Sequence, residues 1–288
     1  MTVSTQKTTP HLYRKSFPWL KYLNTIALVT IVIFFLLPLF FMVLVAFKTT
    51  EEVASSPFSL PTSLNFSNFA IVFQRLDFLR LSGNTILVTT LSCILTVLLS
   101  SLAAYPIARL RNRWVGGIYQ LFLIGLTLPF FVVLLPLYLL ARDLGLLGTV
   151  PGIVLVYTAF NLPFAIFFTA GFIAAIPVEL EEASSIDGST PLSTFWFIIL
   201  PLLRPANATV AMFIALSIWN DLLLPLLFFN RTEQRTIMPG VYTVVGEFST
   251  PYNELFSAAL LASLPLFIFY LILQRQIIAG ISAGGVKG

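Results

Sequence analysis

The chain is poor in the side chains that do chemistry. It holds one cysteine, Cys93, and one histidine, His11, in 288 residues. A lone cysteine forms no internal disulfide and no cysteine-rich metal site, and its apolar neighbours suit a small packing residue. A lone histidine in the polar amino-terminal segment argues against a histidine-based zinc site or general base. Charge is scarce as well. The 16 Lys and Arg and 12 Asp and Glu make up 10% of the residues, where an ordinary soluble domain carries about 25%. That is too little ionic surface to cover a soluble protein of this length, so soluble enzymes, secreted disulfide scaffolds and disordered chains are excluded. The net charge of +4 is modest and does not point to nucleic acid.

What is present is apolar bulk. Hydrophobic residues make up 58% of the chain, 28 of them phenylalanine, and the mean hydropathy is +0.94. This composition belongs to an all-α integral membrane protein. The gaps between charges locate its helices, because a charge at mid-bilayer costs several kcal/mol and about 20 apolar residues cross the hydrocarbon core. Uncharged runs lie between Lys21 and Lys48, Arg80 and Arg109, Arg113 and Arg142, and Asp143 and Glu179. A fifth run, 205–230, contains one acid, Asp221, and a sixth ends at Arg275. Six spans follow, over about 25–47, 84–108, 115–140, 150–175, 206–228 and 256–277. The first run is too long and too late for a cleaved leader, and no small-residue cleavage site follows Phe47.

An even number of spans puts both termini on one side. That side collects Lys7, Arg14, Lys15, Lys21, Arg109, Arg111, Arg113, Arg204, Arg275 and Lys287, while the other has Lys48, Arg75, Arg80, Arg142, Arg231 and Arg235. The excess of basic residues places both termini in the cytoplasm. The chain then divides into a cytoplasmic arm over 1–24, a membrane domain over 25–280 and a cytoplasmic tail over 281–288. Two outer segments, 48–80 with Pro57 and Pro61 and 231–254 with Pro239, Gly240, Gly246 and Pro251, read as irregular and hold no recognisable catalytic arrangement. No repeat of 20–50 residues is apparent, which excludes a solenoid.

The informative cytoplasmic segment is 177–205, between the fourth and fifth spans. Pro177 suits a first helical turn, and Glu179, Glu181 and Glu182 sit where the positive end of a helix dipole favours acids. Gly188 is placed to end that helix in a left-handed conformation. Thr190 can cap a second helix that has Pro191 at its first position, and Pro201 and Pro205 interrupt the chain again. Such an acidic helix–turn–helix is either a shape another protein grips or a well-capped solvated connector.

The same segment resembles the cytoplasmic signature of inner-membrane permease subunits of binding-protein-dependent ABC importers. That signature is Glu-Ala-Ala, three residues, Gly, nine residues, then Ile-x-Leu-Pro. Here it reads Glu182-Ala183-Ser184, Gly188 and Ile198-Ile199-Leu200-Pro201 with every spacing intact and Ser184 in place of the second alanine. Ala104-Tyr105-Pro106-Ile107-Ala108-Arg109 is similar to the end of span two in carbohydrate-uptake permeases of the maltose type. Pro136-Leu137-Tyr138, Leu144-Gly145-Leu146 and Thr149 resemble their span three and the turn after it, with Gly148 where that turn usually has asparagine. Trp219-Asn220-Asp221 with Pro225 is similar to their span five, and Gly284-Gly285-Val286-Lys287-Gly288 to their tail. The resemblance covers the chain from about residue 25 and favours the six-span partner of the permease pair.

The resemblance implies the type I importer fold in a bacterial or archaeal cell membrane. It also implies a second permease subunit, two cytoplasmic ATP-binding subunits and an extracytoplasmic solute-binding protein as partners. Gly280 to Gly285 is followed by Val286 rather than the lysine of a phosphate-binding loop, so ATP and Mg are expected on the partner ATPase and no cofactor on this chain. It implies that Glu182, Ala183, Ser184, Asp187, Gly188, Leu200 and Pro201 couple to that ATPase. For the solute pathway, Asp221 is the acid well inside a span, and intramembrane ionisable groups usually face a cavity or a partner. With Trp219 and Asn220 beside it, a sugar site is one reading; snorkelling to the outer interface or bonding the partner permease is another. Tyr157 and Asn161 in span four are further pathway residues, unless they serve helix–helix hydrogen bonding. Pro129, Pro136, Pro163 and Pro265 mark kinks within spans. A polyol or glycerol-phosphate compound is the alternative solute class. A secondary transporter would be expected to show paired acids or a relay histidine and internal repeats, and an intramembrane enzyme a nucleophile or paired-acid set; a purely structural subunit is the remaining rival.

Overall fold

In the computed structural model of the chain, residues 18–245 and 250–285 are described, with the side chains of 18, 20, 21 and 276–285 left aside. The arm residues Lys7, His11, Arg14 and Lys15, Gly246 and the tail residues 286–288 lie outside the described residues. Every regular element among the described residues is helical. Four helices are long and apolar enough to cross a membrane as single rods, over Tyr22–Ala46, Phe78–Arg109, Val150–Ile173 and Tyr252–Arg275. They belong to α1 (Pro18–Ala46), α4 (Phe78–Arg109), α7 (Val150–Ile173) and α14 (Tyr252–Gly285). Short helices α2 (Thr50–Ser55) and α3 (Ser67–Arg75) fill the connection from α1 to α4.

The third and fifth expected spans are not straight. The third is α5 (Arg113–Thr127) and α6 (Phe130–Asp143), which meet at 106°. The cause is Pro129: the residue before a proline is pushed out of the helical region, and Leu128 sits at φ −73°, ψ 120°. The fifth is bent by 70° between Pro191–Leu202 and α11 (Arg204–Trp219). The first arm holds α9 (Pro191–Thr194), a π-helical stretch over Phe195–Ile199 and α10 (Leu200–Leu202). Pro201 and Pro205 have no N–H to give, so the α-helical ladder cannot run through this stretch unbroken. Helix α8 (Glu179–Ile186) precedes it. Beyond α11 the chain breaks at Asn220–Leu222 before α12 (Leu223–Phe228) and α13 (Ile237–Tyr242). Asp221 therefore lies between two helices and not inside a continuous span, a correction to the expectation for 206–228.

The centre of the molecule is α4 packed along α7, with α11 and α14 against them. The buried face of α4 reads Ser82, Thr85, Thr89, Ser92, Thr96 and Ser100, a spacing of three and four residues that keeps one face of a helix. Small residues let helices approach closely where lipid gives no hydrophobic drive for association. A central core forms around Val88, Ile153, Val156, Ile214 and Phe228. A second gathers Phe78, Trp219, Ile237 and Ala258, and a third Ala170, Ile173, Phe195 and Leu203. α1 rests on α14 and presents Phe34, Phe35, Leu37 and Phe40 outward, which suits contact with lipid chains.

The two ends of the bundle are distinct. At one end the terminus of α4 meets the start of α8, through Arg109 and Glu181. At the other, Asn84 donates to the carbonyls of Glu233 and Arg235, and Gln234 donates to that of Gly148. Gly148 adopts φ +73°, a conformation that glycine takes freely and asparagine tolerates. This accounts for glycine standing where asparagine is usual.

Candidate functional site

The first site is the hairpin of α8 and α9. Its first turn carries Glu179, Glu181 and Glu182; Pro177 lies ahead of the helix, two residues before its first residue. Gly188 turns the chain at φ +84°, where a β-carbon would strain the backbone. Thr190 caps the next helix by accepting from Ser193 N–H at 3.3 Å, with Pro191 behind it. Glu182, Ala183, Asp187 and Gly188 are exposed, and so is Pro201, while Leu200 is half-buried. Ser184 is buried, its hydroxyl 3.0 Å from that of Thr194, so the small residue closes the hairpin on itself. Ile186, 87% exposed, stands on the same helix as Glu182, and Leu192 follows the turn, also exposed.

One acid of the three faces inward. Glu181 Oε1 lies 2.6 Å from Arg109 Nε, its Oε2 accepts from the Tyr105 hydroxyl at 2.8 Å, and Arg109 also donates to the Ile176 carbonyl at 2.9 Å. The sequence marks Glu181 as one of three similar acids and Arg109 as one of three similar basic residues. Helical spacing of Tyr105 and Arg109, four apart on one face, is the signal that they act together.

The second site is a cleft of about 290 Å³ lined by Phe130, Tyr157, Phe160, Asn161, Ser217, Asp221 and Leu224. Tyr157 donates its hydroxyl to Asp221 Oδ2 at 2.9 Å, and Oδ1 accepts the Leu223 N–H at 2.9 Å. The carboxylate is thus oriented by two donors on separate elements and keeps lone pairs for further donors. Asn161 donates to the Tyr157 carbonyl one turn back. At 1.5 Å per residue, Tyr157 and Asn161 stand roughly 10 and 16 Å along α7 from Val150, so the cleft reaches toward mid-bilayer. Phe130 and Phe160 meet edge to face, 5.1 Å between centroids.

Of the five pathway residues expected from sequence, Tyr157, Asn161 and Asp221 come together here. Trp219 turns away: it is buried, and its indole N–H donates to the Ala262 carbonyl of α14 at 3.0 Å. Asn220 is exposed and donates to the Leu216 carbonyl of its own helix. Phe130, Phe160, Ser217 and Leu224 were not foreseen. Phe130 had a signal in Pro129, since the helix restarting there brings its first side chain beside α7.

Comparison with known proteins agrees with this architecture. The family of binding-protein-dependent transport system inner membrane components matches residues 96–282. The diacetylchitobiose uptake system permease protein NgcG of Streptomyces coelicolor is 34% identical over 251 residues, covering 86% of this chain and 83% of its own length. The probable starch degradation products transport system permease protein AmyC of Thermoanaerobacterium thermosulfurigenes is 32% identical over 267 residues, covering 93% and 97%. Among solved structures, a chain of a bacterial ABC transporter involved in alginate import superposes with a TM-score of 0.80 at 22% identity, covering 93% of this chain and all of that one. At that identity the likeness is one of fold.

Proposed function

The chain belongs to the family of binding-protein-dependent transport system inner membrane components, and from that premise we propose that it carries a sugar, most readily an oligosaccharide, into the cytoplasm. It works beside a second permease subunit. An external binding protein delivers the solute, and two cytoplasmic subunits that use ATP and Mg drive the cycle. Both termini lie in the cytoplasm of a bacterial or archaeal cell, and the bent pairs serve as the third and fifth of six spans.

The observation that carries this reading is the α8–α9 hairpin. Exposed Glu182 and Asp187 beside exposed Ile186 and Leu192 make a mixed charged and apolar face suited to another protein rather than to lipid. Glu182 pairs with a basic or amide group of the ATPase, Ala183 permits close approach, and Gly188 fixes the turn. Reversing an inward–outward equilibrium from 1:99 to 99:1 needs about 5.5 kcal/mol of differential binding, and a rigid helix transmits such a bias where a loose loop does not. The sugar class is supported by the relatives' substrates and by the cleft. Phenyl rings suit the apolar faces of a hexose, and the oriented Asp221 carboxylate accepts from its hydroxyls.

The test is the whole importer in proteoliposomes, with binding-protein-dependent ATP hydrolysis read against a panel of oligosaccharides, polyols and glycerol-phosphate compounds. Stimulation by oligosaccharides, lost in Gly188→Val and Glu182→Lys with membrane insertion intact, is the expected result. Undiminished coupling in both variants overturns the ATPase assignment, and stimulation by polyols alone overturns the solute class.

A further inference from the structure

We propose that Arg109 is a positioning residue for energy coupling: through its ion pair with Glu181 it carries movement of α8 into α4. This rests on reading α8 as the ATPase-facing helix, and it adds a route that the order of the chain does not provide. Along the chain, α8 connects to α7 through the turn at 174–178 and to α11 through the π-helical stretch. Helix α4 ends some seventy residues earlier, yet its last turn reaches α8 directly.

The geometry is that of a joint. One guanidinium touches three elements, because Arg109 belongs to α4, its Nε meets Glu181 of α8 and its Nη2 holds the carbonyl of Ile176 just beyond α7. Tyr105, one turn back on α4, holds the other carboxylate oxygen. Both charged side chains are only 14% exposed, so the pair is largely shielded from water. The planar fork of arginine fixes direction as well as charge, and its place in the last turn of α4 complements the negative end of that helix dipole. Arg111 and Arg113, in the same loop, are exposed and take no part. Division of labour follows within α8: Glu182 faces outward to the ATPase, and Glu181 faces inward to the membrane domain.

The path beyond the joint is short. α4 packs along α7, and α7 supplies Tyr157, Phe160 and Asn161 to the cleft. Displacement of α8 thus reaches the cleft through α4 and α7 together, in addition to the bent arm leading into α11.

The experiment uses the assembled importer in proteoliposomes and reads solute moved per ATP hydrolysed. Arg109→Gln and Glu181→Gln are expected to retain the ATPase subunits and basal hydrolysis while the ratio falls at least tenfold. The exchanged pair Arg109→Glu with Glu181→Arg regains part of it. Arg109→Lys and Tyr105→Phe, milder changes that keep the charge or the ring, are expected to lower the ratio a few-fold. An unchanged ratio in Arg109→Gln overturns the proposal. If that variant fails to assemble, a wild-type ratio in both Arg109→Lys and Tyr105→Phe overturns it instead. Glu182→Lys serves as the reference: if it leaves ATPase attachment and coupling untouched, the reading of α8 has failed, whereas normal Arg109→Gln coupling beside a defective Glu182→Lys sinks the joint alone.

Discussion

At one end of the bundle the Arg109–Glu181 ion pair, with the Tyr105 hydroxyl on the same carboxylate, ties α8 to α4; at the other, amides and hydroxyls around a buried lysine, with an Arg75–Glu254 ion pair at the edge, close α1, α2, α3 and α14 into one cap. Lys48 is fully buried, and its ammonium donates to the carbonyls of Ser56 and Pro57 at 2.7 and 2.9 Å and to the Ser59 hydroxyl at 3.2 Å. Asn68 donates to the carbonyls of Ala46 and Lys48, Asn253 to Asn68 and Thr50, and Ser257 to Ala46. These bonds satisfy carbonyls at the end of α1 that have no partner within the helix. Hydrogen bonds weaken steeply when misaligned, so a dense set of them suits parts that stay still. Coulomb attraction falls only as the inverse of distance, so an ion pair keeps its hold across a small displacement. The comparison teaches that the capped end is fastened by many bonds spread over four helices, whereas α8 meets α4 through a few contacts centred on one shielded ion pair.

The largest expected effect tests the capped end. Lys48→Leu strips a donor from three acceptors in a water-poor site and should cost about 3 kcal/mol or more. It should appear as a clear fall in the thermal midpoint of the purified importer, and an unchanged midpoint would break the contrast. Next comes the cleft, which belongs to neither end. Asp221→Asn and Tyr157→Phe should each reduce transport about tenfold, equivalent to 1.4 kcal/mol, while solute moved per ATP stays normal, the opposite signature to a defect at Arg109.

Acid provides a smaller effect. The Glu52 carboxyl is held below its ordinary value of 4.5 by the Thr62 hydroxyl first, then by the backbone N–H groups of Thr49 and Thr62. A lowered value means that the ionised form stabilises the folded cap. That contribution is present above pH 4.5 and is lost as the pH falls through the lowered value. Glu52→Gln should therefore flatten the acid limb of a stability–pH profile and leave neutral pH little changed; an unaltered acid limb would remove the carboxylate from the cap. Smallest of all, Asn220→Ala should transport within about twofold of wild type, because among the described residues the Asn220 amide bonds to a carbonyl of its own helix and not to the cleft. A tenfold loss would put Asn220 back in the pathway and redraw the cleft.

Much of the architecture was legible in the spacing of charges. Gaps such as Lys21 to Lys48 and Arg80 to Arg109 match helices because hydrocarbon excludes charge over a fixed thickness. Gly188, Thr190 and Pro191 were readable for a local reason: a left-handed turn and a cap depend on neighbouring backbone alone. Pro129 was legible as a kink within 115–140, but the 106° break beside it was not, nor was the interruption of 206–228 at Asn220–Leu222. Whether a proline bends a helix slightly or breaks it depends on what packs against the freed backbone. Trp219, Asn220 and Asp221 look like one cluster in the chain, but the end of α11 at Trp219 sends them to three different surroundings.

Composition and charge spacing by themselves determined that this protein belongs in a membrane and roughly where its long helices lie. Those properties follow from transfer energies and local backbone preferences, which need no knowledge of distant residues. Tertiary structure alone decided which of three acids faces inward, which basic residue it meets, and which polar side chains share a cleft. Contacts between residues 72 or 64 positions apart depend on how helices pack, and packing is a property of the whole bundle.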